Sequence, residues 1–165
     1  MVLNFTLQLS TALASIGYQK KKHDILLSSS EPGKQPIAEY GNAKWAIVDL
    51  LNQEYSSSLQ TSIDLHHWIN HEEDDEVAYF LNEAGSNTLN YAEQRFPSAF
   101  RCWLGERGFI LAIEQEGRGF AAERIHQQRI KVNEGAAFSF YRRCRATIFF
   151  DDPTNARVVY FKYTF

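Results

Sequence analysis

Apolar and polar residues alternate over positions 2–9, with Leu3, Phe5, Leu7 and Leu9 on one side. That period of two predicts a strand, which either extends a sheet or pairs with a second copy of the chain. Residues 11–18 suit a short helix or a turn. His23-Asp24-Ile25-Leu26-Leu27 reads as a short strand, and the serines, prolines and glycine of 28–36 as a loop. Over 42–55 the period changes. Trp45, Val48 and Leu51 recur every three residues, and Ile47, Leu51 and Tyr55 every four, which predicts a helix closed by Ser56-Ser57-Ser58. Residues 63–69 fit either a strand or the start of a helix.

The clearest pattern lies between 77 and 92. Val77, Phe80, Leu81, Ala84, Thr88 and Tyr91 form one helical stripe, and Glu83, Asn87 and Asn90 form a second beside it. This predicts a helix with a core face and a polar margin, which alone would be the solvated edge of an amphipathic helix. The acidic run Glu72–Glu76 precedes it, where carboxylates complement the helix dipole. Beyond Pro97, residues 99–104 and 109–114 read as a hairpin around Gly105-Glu106-Arg107-Gly108. Gly117-Arg118-Gly119-Phe120 breaks the pattern. Residues 121–134 suit a mobile segment or a short helix, and 135–145 a helix. Strands at 146–150 and 157–163 flank the turn Asp151–Asn155. Val77, Phe80, Leu81, Ala84 and Tyr91 are expected to pack on Phe109, Leu111, Ile113, Ile148 and Val159.

Composition narrows the picture. A chain of 165 residues suits one domain with a sizeable core. Its net charge of −3 gives no reason to expect nucleic-acid binding, and Lys20-Lys21-Lys22 is the only basic run. No apolar stretch approaches the roughly 18–20 residues that span a bilayer. No charged region followed by an apolar one opens the chain, so no export signal is expected. Cys102 and Cys144 form no CxxC pair and read as buried thiols in a reducing, cytoplasmic setting. His67 and His71 have a spacing that can hold zinc, but no third ligand is fixed.

Several stretches together carry a resemblance. Glu83-Ala84-Gly85-Ser86-Asn87-Thr88-Leu89-Asn90-Tyr91-Ala92 resembles the asparagine-box helix of the histidine-kinase-type ATPase superfamily. Ile110 to Phe120, ending Gln115-Glu116-Gly117-Arg118-Gly119-Phe120, resembles the first glycine box, with core Asp-x-Gly-x-Gly-Phe. Asn133 to Phe138 resembles a worn second box, Gly-x-Gly-Leu. The order of elements after residue 40 is similar to that family, and closest to its stand-alone anti-sigma serine kinases. Residues 1–40 stand outside the resemblance as an N-terminal extension.

The resemblance implies an α/β fold: a two-layer sandwich with one mixed, mostly antiparallel sheet and helices on one face. It implies ATP and magnesium as ligands. Asn87 would be the magnesium ligand and Glu83 the general base or water-orienting carboxylate. Gln115, Gly117 and Gly119 would hold the nucleoside side and Gly135 the phosphates, with glycine N–H groups approaching unobstructed. It further implies a cytoplasmic regulatory protein that phosphorylates or sequesters a partner protein; a homodimer is expected only from pairing of the N-terminal strand with a second copy. Two departures point elsewhere. Gln115 stands where the family has an Asp that accepts from the adenine amino group, so a charge-assisted contact becomes an ordinary one, at a cost of about 1–2 kcal/mol. Ala137 stands where the second box has a glycine, and the segment between the boxes has no glycine run. These suit the alternative: a degenerate, non-catalytic domain of the same fold, acting only through protein–protein contact.

Overall fold

The computed structural model describes residues 3–27, 36–68, 75–91, 98–132 and 144–165. Five strands form one sheet: β1 (Tyr18–Leu26), β2 (Ala99–Gly105), β3 (Gly108–Glu114), β4 (Thr147–Phe150) and β5 (Val158–Thr164). Their order across the sheet is β1-β2-β3-β5-β4, and every neighbouring pair is antiparallel. An isolated parallel bridge joins Leu3 to Ile148 at the β4 edge. The helices are α1 (Leu9–Ile16), α2 (Pro36–Glu54), α3 (Glu76–Tyr91) and α4 (Ala122–Val132), with a 3-10 turn over Leu65–Trp68. No helix among the described residues is long and apolar enough to cross a membrane.

Alternation along the strands creates two apolar faces. Phe100, Cys102, Leu104, Phe109, Leu111, Ile113, Ile148, Phe150 and Phe161 point to one. There α2 supplies Tyr40, Ala43, Ile47, Val48 and Leu51, α3 supplies Val77, Ala78, Phe80 and Leu81, and α4 supplies Ala122. The expected α/β sandwich is therefore present, and Phe80 stacks on Phe161 with ring centroids 4.9 Å apart. Ala84 and Tyr91 belong to α3, but their side chains lie outside the described residues. The second face carries Trp103, Ile110, Ala112, Phe149 and Tyr160, covered in part by Ala12 and Ile16 of α1.

The N-terminal strand expected over 2–9 is not formed. Asn4 donates its N–H to Ile148 O at 2.8 Å, and its side-chain oxygen then accepts from the N–H groups of Thr6 and Leu7, both at 2.9 Å. This Asx turn bends the chain before a second ladder bond can form. Leu3 and Phe5 consequently join the helix-covered face, whereas Leu7 and Leu9 join the other. Their alternation reflects a strap that wraps the sheet edge. α1 follows and ends at Gly17, whose φ of +65° is left-handed.

Other boundaries move for similar local reasons. β1 starts at Tyr18 and takes in the lysine run, because β2 offers a partner along this whole length. α2 is described from Pro36, ahead of the Asn42 expected from periodicity. The undecided 121–134 stretch contains helix α4, and the undecided 63–69 stretch holds the 3-10 turn. The helix expected over 135–145 falls almost wholly outside the described residues. The hairpin is as expected, with Gly105 opposite Gly108, and the Tyr55 hydroxyl donates to Gly105 O at 2.9 Å and accepts from Gly105 N–H at 3.0 Å. Burial pushes that hydroxyl up to about 12.

Candidate functional site

α3 is held at its N-terminus by the acidic run. The Asp75 carboxylate accepts from Ala78 N–H at 3.1 Å, which caps the helix, and from Asp64 N–H at 3.0 Å. Glu76 accepts the N–H groups of Arg145 and Ala146, tying the helix start to the entry of β4. These two acids have structural partners, and Glu72, Glu73 and Asp74 lie outside the described residues. So does His71. Among the described residues no group of metal-ligating side chains could hold an ion.

Glu83 follows two turns into the helix and is half-buried. Burial raises its pKa, and no hydrogen bond or ion pair to it is found among the described residues. A half-buried carboxyl without a cation retains its proton more readily than a solvated one. Asn87 lies one helical turn further along α3, with its side chain outside the described residues.

The first glycine segment is tied into the fold at several points. Gln115 N–H donates to Arg157 O at 2.9 Å, continuing the β3–β5 ladder, and its side-chain amide donates to Arg118 O at 3.2 Å. The Gln115 side chain thus folds back on its own loop. Gly117 adopts a φ of +86°, where a side chain is strained. Gly119 passes so close to the β4–β5 connection that an added Cβ would lie 2.5 Å from Asn155 O. Phe120 and Ala156 exchange backbone hydrogen bonds of 3.0 and 2.7 Å, and the Phe120 ring meets Phe150 edge-on. Asp151 and Asp152 stiffen the facing turn: Asp151 accepts from the N–H groups of Arg157 and Val158, and Asp152 accepts from Thr154 N–H and Oγ1. The Thr154 contacts hold the Asp152 carboxyl below its usual range.

The structure therefore gathers Gln115, Gly117 and Gly119 in one loop and sets Glu83 and Asn87 one turn apart on one helix. No hydrogen bond or ion pair among the described residues joins the two groups. Gly135 lies outside the described residues, as do Ala137 and Phe138.

One constellation beside Glu83 was not anticipated. Lys44 of α2 reaches Asn82 Oδ1 at 2.6 Å and lies 4.4 Å from the Tyr40 ring centroid. Asn82 is buried and donates to Leu65 O at 3.3 Å, and the Tyr40 hydroxyl donates to Leu81 O at 2.8 Å. Burial lowers the Lys44 pKa. Tyr40 and Lys44 stand one turn apart on α2, and that spacing was the available sequence signal. A separate open groove of about 420 Å³ runs between β1 and α2, lined by Lys20 to His23 and by Leu50, Gln53 and Glu54. No family model matches the chain, and no curated protein matches it.

Proposed function

We propose that this chain is a histidine-kinase-like ATPase-type domain that acts in the cytoplasm through protein contact, without nucleotide chemistry. The observation that carries this reading is the engagement of the glycine segment with the β4–β5 connection. Gly119 faces Asn155, at a distance that explains the missing side chain by packing alone. Phe120 is held by Ala156 on both sides of its peptide. The loop that the resemblance assigns to the nucleoside side is instead packed against the protein's own β4–β5 connection. The Gln115 side chain lies along its own loop, its N–H donating to Arg118 O.

Glu83 favours a second reading, that of an ATP-dependent kinase. A half-buried carboxyl with a raised pKa and no ion pair among the described residues suits a general base. ATP and magnesium would then meet Glu83, Asn87, Gln115, Gly117, Gly119 and Gly135. Isothermal titration of the full chain with ATP, with and without magnesium, separates the two. The protein-contact reading expects no heat at millimolar ATP. Saturable, magnesium-dependent binding that Asn87→Ala weakens without lowering Tm would overturn it.

A further inference from the structure

We propose that the outer edge of β1 is a docking site for an extended acidic protein segment, which adds to the sheet as a further strand. This takes up the protein-contact reading above and gives it a surface and a partner class. The two edges of the sheet differ. At β4 the strap formed by Leu3 and Asn4 covers the edge, with a bridge and a 2.8 Å hydrogen bond to Ile148. At β1 no strand among the described residues lies further out. All of β1 except Tyr18 and Ile25 is exposed.

The exposed edge has a charge of its own on a chain whose net charge is −3. Lys20, Lys21 and Lys22 follow one another along the strand: Lys21 meets Glu54 in the groove beside α2, whereas Lys22 turns to the other face, its Nζ 5.4 Å from the Trp103 ring centroid. Lys21 meets Glu54 at 2.7 Å and Lys22 meets Asp24 at 3.0 Å, both at the surface, and Lys20 has no ion pair among the described residues. The register breaks between Tyr18 and Lys21, where Lys20 takes a φ of +60°. From Lys21 to Leu26 the strand then pairs without interruption on β2. Alternate backbone groups of that run point away from β2, as in any antiparallel strand, and can pair with an incoming chain.

Edge lysines commonly repel other strands. The same repulsion makes the edge selective. A second β1 in full antiparallel register would set Lys22 against Lys22 and gain only Lys20 opposite Asp24, whereas a segment with carboxylates opposite Lys20 to Lys22 meets a cation at each position. Apolar residues at its other end would meet Leu26, which is 73% exposed, and half-buried Ile25. Nucleic acid shares the attraction to lysines but cannot pair with a strand edge.

The test is fluorescence anisotropy with a labelled peptide of three glutamates followed by alternating valine and threonine. Three other probes accompany it: the peptide with lysines for glutamates, the peptide with alternate residues changed to proline, and single-stranded oligothymidylate. The glutamate peptide should bind saturably, with amide shifts in NMR concentrated on Lys21–Leu26. Lys20→Glu with Lys22→Glu should weaken it at least tenfold while the lysine peptide gains, with Tm tracked to show that the variant is folded. Equal binding of the proline peptide, tighter binding of the oligonucleotide, shifts located elsewhere, or self-association through β1 would each overturn the proposal. ATP binding in the titration above would remove the protein-contact reading without changing these outcomes, so the two can fail separately.

Discussion

Glu83 and Lys44 are opposite charges, half-buried on neighbouring helices, and neither neutralises the other. Each is shifted toward its neutral form, Glu83 upward and Lys44 downward, with burial as the cause in both cases. The sign for Glu83 follows from linkage. Its folded pKa lies above its unfolded value, so the native state binds the proton more tightly. Native stability therefore falls as pH rises through that interval, and the full penalty is present at neutral pH. Half-exposure screens the effect, which keeps it small. Glu83→Gln should raise Tm by roughly 1–2 °C at pH 7 and change it little near pH 4. Thermal unfolding followed by circular dichroism at both pH values checks this, and an equal gain at both would mean that the charge is not the cause. Lys44 shows what residue-level reading misses. Its spacing from Tyr40 was visible, but its buried acceptor, Asn82, lies 38 positions away on another helix.

Among the elements, α3 was the most legible. Its stripe of Val77, Phe80 and Leu81 has the period of a helix and is buried as that period requires. The 99–114 hairpin and the terminal strand pair were legible for the same reason, because local periodicity and turn chemistry agree with the tertiary fold. The N-terminal segment was not. Leu3, Phe5, Leu7 and Leu9 have strand spacing, yet one Asn4 side chain turns the backbone, and the four residues divide between two faces. The candidate site was legible only in part. Spacing put Glu83 and Asn87 on one helix, but the approach of Asn155 to Gly119 comes from a turn more than thirty residues on, and no local pattern reports it. Phe80 allows a test of the α3 packing. It is fully buried and stacked on Phe161, so Phe80→Ala should cost about 3–5 kcal/mol in urea unfolding. A loss below about 1 kcal/mol would mean that α3 does not rest on the sheet as described.

At the scale of the whole molecule, the strap ahead of α1 joins the two faces of the sheet. Leu3 is buried with the α2–α3 layer, the Phe5 ring stacks on Phe150 at 5.7 Å, and Leu7 lies with α1 on the other side. The strap thus covers β4, a short strand that would otherwise expose a row of unpaired backbone groups. Its removal should therefore do two separable things. Leu3→Ser with Phe5→Ser loses apolar burial, about 2–5 kcal/mol for Leu3 with less from half-buried Phe5. It also frees the Ile148 carbonyl and its neighbours to pair with another chain. Sedimentation equilibrium below Tm should show stronger concentration-dependent association in this variant than in the wild-type chain. Adding Phe149→Lys is a poor control, because Phe149 is fully buried on the α1 side. Asn4→Pro is a better companion, since it removes the N–H that reaches Ile148 O while leaving Leu3 and Phe5 in the chain. If the strap guards the edge, this variant should gain association as well. A destabilised variant that gains no association would show that Leu3 and Phe5 contribute packing alone, and that the β4 edge is protected by its shortness.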